Sequence, residues 1–382
     1  MHDAASLSAR EPGAGNGGRI ARWCGAALLL AASVSTYWWT VAEGTLAAID
    51  ATAERWRSHG YAVGHGAPDV SGFPFSVRVT LASPQFVAPG LAWEWSADAA
   101  VLSIDLWRPR RIRFDLPGIH RWVLPTEIEK DVPIRHLLTI STPAASGALL
   151  LGGDGTVQDW SISASDAEVI LPNGAVLYVG RASLSVERPA MASGRGQLGE
   201  DAVRFDGAAE AVVLPAARSA HALGTAGDVL GRQIDLVAAA GLIVRPEDLA
   251  EAPAAFLDGA LAGRMLSRWR AAGGRIDVTS LRLATREVDC RAQGSIGVDL
   301  MNRPTGQLAA VLRGHDPLID ALVRTGRVRG EDGAVARVIF GLLVRPPPDG
   351  GPPVLEIPIV GADGVMLAGP VPLLALPTLA PP

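Results

Sequence analysis

Residues 71–81 read SGFPFSVRVTL. Phe75, Val77, Val79 and Leu81 fall on one side of an extended chain, and Ser76, Arg78 and Thr80 on the other. This period-two alternation marks a strand with one face turned to a core. The Gly-Phe-Pro-Phe opening sets two large aromatics where the strand begins. The stretch is either a reactive loop or the first rib of a sheet, and its surroundings favour the rib. Residues 111–116, RIRFDL, set Ile112, Phe114 and Leu116 against Arg111, Arg113 and Asp115. Val176, Tyr178, Gly180, Ala182, Leu184 and Val186 share one side of the next long run, and Val203, Phe205, Gly207, Ala209, Ala211 and Val213 one side of another. Pro89-Gly90, Pro117-Gly118, Pro172-Asn173-Gly174 and Pro215 punctuate these runs. Alternating strands joined by tight turns predict an antiparallel meander, and no strand–helix–strand rhythm asks for a parallel sheet.

Upstream of this sheet the pattern changes. Residues 1–18 are rich in Gly, Ala and Ser and lack apolar periodicity, as in a disordered tail. Trp23 to Thr40 then carries no charge. At 1.5 Å per residue it covers roughly 27 Å, enough for a bilayer core of about 30 Å. Tyr37, Trp38 and Trp39 crowd its far end, where an interfacial aromatic belt belongs. Arg10, Arg19 and Arg22 precede the span and Glu43 and Asp50 follow it, which predicts a cytoplasmic N-terminus and the bulk of the chain on the far side of the membrane. A cleaved signal peptide is the alternative, with Ala31-Ala32-Ser33 as its cleavage site, but the aromatics beyond it favour an uncleaved anchor. Leu46, Ile49, Ala53 and Trp56 recur at helical spacing up to Gly60, predicting a stalk helix.

Downstream, helices enter among the strands. PAAFLDGALAGRMLSRWR (253–270) has Leu257, Leu261 and Met265 on one stripe and follows Pro246-Glu247-Asp248, a first-turn composition. Asp316-Pro317 reads as a cap with proline at the first helical position, leading LIDALVRTG. Three strands are expected between these helices, with turns near Arg286-Glu287 and Arg303-Pro304. A closing hairpin is expected to turn at Ala362-Asp363-Gly364. The expected fold class is therefore mainly β: an N-terminal transmembrane helix, then large curved antiparallel meander sheets with a few short helices in the C-terminal half. The expected divisions are a tail (1–18), anchor (19–41), stalk (42–60), antiparallel β region (61–245) and helix-containing β region (246–382).

Composition narrows function by exclusion. The chain is 48% hydrophobic and 19% charged with a formal net charge of −5, so no global basicity points to nucleic acid. Cys24 and Cys290 lie too far apart in character, one in the span and one in a strand, to form a disulfide framework. Gly194-Arg195-Gly196-Gln197-Leu198-Gly199 matches a dinucleotide fingerprint but is followed by acids and another strand instead of a helix. His59, His65, His120, His136, His221 and His315 are scattered, with no pair at i, i+4. Asp166 and Glu168 lie two apart on one strand, whereas glycosidic chemistry needs carboxylates on opposite sides of a bond. No catalytic residue, metal site or cofactor is assigned. Arg108, Arg110, Arg111 and Arg113 beside Trp107 form a basic patch that reads as a solvated strand face or a headgroup contact.

Aromatic clustering is more informative. Trp93, Trp95, Trp107 and Trp122 follow closely on Phe73 and Phe75. Core packing and the lining of an apolar groove both account for them. A long sheet with few helices leaves apolar face to cover. The groove reading names Phe73, Phe75, Trp93, Trp95 and Trp107 as ligand-binding residues.

The anchor, the stalk, GYAV (60–63), SGFPFSVRVTL, PGLAWEWSADAAVLSIDLWRPRRIRFDLPG (89–118) and DGVMLAGPVPLLALPTL (363–379) together resemble the bacterial domain of unknown function 2125 family. That family has no established activity, so the resemblance implies no catalytic residue. More loosely, an anchored meander is similar to AsmA-like and β-taco envelope proteins, whose curved sheets shelter acyl chains. The expectation is a non-enzymatic, membrane-anchored envelope protein that holds or transfers lipid along an apolar sheet face. The alternative is an envelope scaffold or assembly factor that binds other proteins without a small ligand.

Overall fold

A computed structural model of the chain describes residues 16–89, 93–129, 132–153, 155–188, 203–214, 232–243, 259–326, 328–345, 353–369 and 371–380. The fingerprint at 194–199 and the Pro246-Glu247-Asp248 helix start lie outside the described residues. Helix α1 (Asn16–Ser58) runs without interruption through the predicted anchor and stalk, 43 residues or about 65 Å. The strands follow in chain order: β1 (Ala62–Gly64), β2 (Asp69–Ser71), β3 (Ser76–Ala82), β4 (Gln85–Val87), β5 (Glu94–Ala97), β6 (Ala99–Asp105), β7 (Arg111–Asp115), β8 (Gly118–Glu129), β9 (Val132–Thr142), β10 (Ala144–Leu151), β11 (Val157–Ile170), β12 (Val176–Glu187), β13 (Val203–Val213) and β14 (Gln233–Ile243). Next come α2 (Gly259–Ala271), β15 (Arg275–Ala284), β16 (Asp289–Val298), β17 (Pro304–Arg313), α3 (His315–Arg324) and α4 (Gly330–Leu343). The chain closes with β18 (Val344–Arg345), β19 (Val354–Ala362), β20 (Val365–Ala368) and β21 (Val371–Ala375).

All 21 described strands belong to one hydrogen-bonded antiparallel sheet. Its spine runs β2-β3-β6-β7-β10-β11-β12-β13-β14-β15-β16-β17-β19-β20-β21. The sheet forks at β11. Residues up to Ser165 pair with β10, whereas Glu168 to Ile170 pair with β9, which leads through β8, β5 and β4 to β1. Asp166, at φ 51°, sits between the two partners and bends the strand there. Its left-handed backbone corrects the simple two-apart face expected for Asp166 and Glu168. Likewise, Ala211 at φ 53° and a register shift between Ala209 and Val212 interrupt the even alternation read over 203–213. The longer strands are amphipathic where their sequence alternates, and Gly, Pro or Asn breaks the run at many of the turns, though not at Thr285–Val288 between β15 and β16. At the predicted last hairpin, Asp363 and Gly364 both take positive φ, the geometry of a two-residue type I′ turn.

Two helical groups cover the ends of the sheet, and α2 buries Trp269, whose indole donates a hydrogen bond to the Ile243 carbonyl at the end of β14 at 2.7 Å. At one end α1 lays Trp38, Val41, Ala42, Leu46 and Ile49 on Val77, Val79, Leu102 and Leu106. At the other, Ile319 of α3 and Ala336 and Phe340 of α4 pack on Leu312, Leu355 and Ile357. The cap of α3 differs from expectation. The N-cap is Gly314 at φ 78°, and Asp316 lies within the first turn. A Cβ at residue 314 would lie 1.9 Å from the Glu287 carbonyl oxygen, so the close approach selects glycine there. Helix α4 is not legible from local sequence: GEDGAVARVIFGLL carries three glycines and two valines, which blur its helical period. Leu355 is fully buried in this second core. Leu355→Ala should cost about 2–5 kcal/mol by cavity formation, read as a lowered denaturant midpoint. Val338→Ala, on the exposed side of α4, should change it by less than about 0.5 kcal/mol. Equal effects would overturn the assignment of the core.

Candidate functional site

The register across the sheet sorts side chains into rows, because directly paired residues share a face. One row runs Val79, Leu102, Phe114, Gly147, Ile162, Leu184, Gly207, Ala238, Leu281, Ala292, Ala310, Ile357. Its neighbour runs Val77, Ile104, Ile112, Leu149, Trp160, Val186, Phe205, Ala240, Val278, Gly294, Leu308, Ile359. Both cross twelve strands, roughly 50 Å at ~4.8 Å per strand, and neither contains a polar side chain. The opposite face is different in kind. There the row Thr80, Val101, Asp115, Ser146, Ser163, Ser183, Ala208, Val237, Arg282, Arg291, Val311, Glu356 mixes small, polar and charged groups.

The apolar face is covered unevenly. Its ends lie under α1 and under α3 and α4. Among the described residues, neither buried cluster includes a side chain of β10–β14. Leu149, Trp160 and Ile162 are half-buried there, and Leu184 and Leu236 are 38% and 40% exposed. The polar face holds two open depressions of about 1000 and 660 Å³, bordered by Arg282, Arg291 and Glu356 and by Arg113, Asp115 and the serines. The small side chains of that face leave the room.

The five aromatics named from the sequence fall into two groups. Trp93 and Trp95 join a closed aromatic cluster at the C-terminal end of α1. Trp93 stacks on Phe86 and also meets Tyr61 and Trp122, while Trp95 stacks on His120. Phe73, Phe75 and Trp107 lie instead on turns beside Tyr37 and Trp38 of α1, with Phe73 edge-on to Trp38. The structure does not bring the two groups together. The residues that make the long apolar rows, Ile162, Leu184 and Leu281 among them, are not legible as a site from sequence. Their alternation was visible, but the register that joins them was not.

Titratable groups in the sheet serve structure. Burial pushes the Cys290 thiol up, with Asp289 adding to the shift, so it stays protonated between Leu283 and Leu312. Burial works to raise the Asp289 carboxyl, but hydrogen bonds and charge from Arg282 and Arg291 hold it below the ordinary range. Among the described residues no group of three His, Cys, Asp or Glu could hold a metal ion.

A family model described as an uncharacterized protein conserved in bacteria (DUF2125) matches residues 38–377. The chain belongs to DUF2125. No curated protein and no solved structure matches it. The DUF2125 match opens at Trp38, the first residue of α1 whose indole donates a hydrogen bond to the sheet, at the Ser76 carbonyl. Helix α1 from Arg22 to Ser58 is long and apolar enough to cross a membrane, and its most apolar stretch is not buried against the rest of the protein.

Proposed function

We propose that this DUF2125 protein is a non-catalytic, membrane-anchored envelope protein that holds lipid, or a ligand equally apolar, against the open middle of its sheet. What supports the reading above all is the pair of unbroken apolar rows spanning twelve strands, with α1 over one end, α3 and α4 over the other and, among the described residues, neither buried hydrophobic cluster reaching β10–β14 between them. An apolar sheet face left in water is unfavourable by roughly 25 cal/mol per Å², and a sheet ordinarily covers it with another layer. An acyl chain laid across the strands would supply that layer. With α1 as an anchor the body would stand beside a bilayer, the source of such chains, and the charges flanking α1 support its emergence on the periplasmic side.

Site-specific photo-crosslinking in cells tests this. A benzophenone amino acid introduced at Leu184, on the open apolar face, should yield lipid adducts by mass spectrometry; the same group at Ser183, on the opposite face, should not. Equal lipid yields, or none from Leu184, would sink the lipid reading. Protein adducts from Leu184 would turn it toward a scaffold that packs a partner on this surface.

A further inference from the structure

At the end of the sheet fastened to α1, three large aromatics face solvent. Phe73 is 57% exposed, Phe75 70% and Trp107 72%. The first two lie in the turn between β2 and β3, the third in the turn between β6 and β7. The two turns are fastened to each other, since the Leu106 amide donates to the Phe75 carbonyl at 3.2 Å. Both are fastened to α1 at one height. The Tyr37 hydroxyl donates to the Leu106 carbonyl at 3.1 Å, and the Trp38 indole to the Ser76 carbonyl at 2.7 Å. Leu106 itself is buried beneath, so the turns are rigid platforms with their aromatics turned outward.

Below Tyr37 the helix is the bare apolar stretch from Trp23 onward. Taking that stretch as the span, the upper edge of the hydrocarbon layer falls within about one turn of Tyr37, because ~20 residues cross a core of ~30 Å. The exposed aromatics therefore stand at the depth where Trp, Tyr and Phe partition into the bilayer interface. Arg108, Arg110 and Arg111 are exposed around Trp107. A guanidinium beside an interfacial ring suits a lipid phosphate.

We infer that the Phe73–Phe75 turn and the Trp107 turn dock into the interface of the leaflet from which the domain emerges. The body is then held against the bilayer at three points, α1 and the two turns, with the β3–β6 edge of the sheet at the membrane surface. The inference rests on α1 being the span, and the test separates the two. The full chain, with Cys24→Ser and Cys290→Ala, receives one nitroxide label at a time in vesicles of phosphatidylcholine and phosphatidylglycerol. The labelled positions are Phe75→Cys, Trp107→Cys, Leu30→Cys in the span and Val338→Cys on the far helix. Collision with oxygen reports lipid and collision with a water-soluble nickel chelate reports water. The expected result is a shift toward oxygen at 75 and 107, intermediate between Leu30→Cys and Val338→Cys. If 75 and 107 match the water exposure at 338 while 30 lies deep in lipid, docking is overturned and the anchor stands. If 30 also reads as aqueous, both fall.

Discussion

Gly294→Val is expected to abolish cooperative folding of the sheet's C-terminal half. Gly294 adopts φ 151° in the middle of β16, and a Cβ there would lie 2.2 Å from the Gln307 carbonyl oxygen and 2.9 Å from the Leu308 Cα. Gly306, on the facing strand, mirrors it at φ 143° and 2.2 Å from the Ser295 carbonyl oxygen. Both obstacles are main-chain atoms, so no rotamer change relieves the contact. The side chain would have to push β16 and β17 apart, breaking the ladder that carries the rows toward Ile357 and Ile359. Backbone strain alone costs on the order of 1–3 kcal/mol, and overpacking adds about as much again, against a total stability of roughly 5–15 kcal/mol. Circular dichroism of the detergent-solubilised chain should show a lost or strongly lowered thermal transition. At Gly155, with open space around it, the same change should cost about 1–2 kcal/mol. A Gly294→Val protein that melts like the parent would refute the close approach of the two strands.

Leu184→Asp is the second large effect. Leu184 sits between Ile162 and Gly207 in the first apolar row and is exposed enough to accept a carboxylate without unfolding the sheet. For a lipid chain lying across the strands the same carboxylate is a buried, unpaired charge, a penalty of several kcal/mol before relaxation. At 1.4 kcal/mol per tenfold in occupancy, lipid recovered by crosslinking from a benzophenone at Ile162 should fall on the order of a hundredfold. The Ser183→Asp control, one residue away on the polar face, should leave recovery unchanged while adding the same charge. If both variants retain lipid, the ligand does not lie on this face. If both lose it, the effect is one of net charge.

Local alternation made the strands legible, and helical spacing with uncharged length made α1 legible. Pro-Gly, Asn-Gly and Asp-Gly steps marked the turns. What stayed hidden is non-local. Nothing in residues 157–170 announces that β11 changes partner at Asp166, because the bend answers to where β9 and β10 lie. Asp316 looked like the α3 cap on local grounds, and Gly314 took the role because the Glu287 carbonyl lies against it. Trp93 and Trp107 look alike in sequence, yet one packs against Phe86 and the other faces solvent beside α1. The apolar rows illustrate the same limit: each contributes one or two residues per strand, and only register assembles them.

The evenness of those rows has a consequence for motion. On the middle of those rows a hydrocarbon chain displaced by one strand spacing would exchange one set of apolar neighbours for another, from Ile162 through Leu184 and Gly207 to Ala238. No step along the way exposes a buried dipole, so the barrier between adjacent resting places is low and no single strand is a trap. Passage along such a surface would be diffusive, and any net flow would be set by where a chain is loaded and withdrawn.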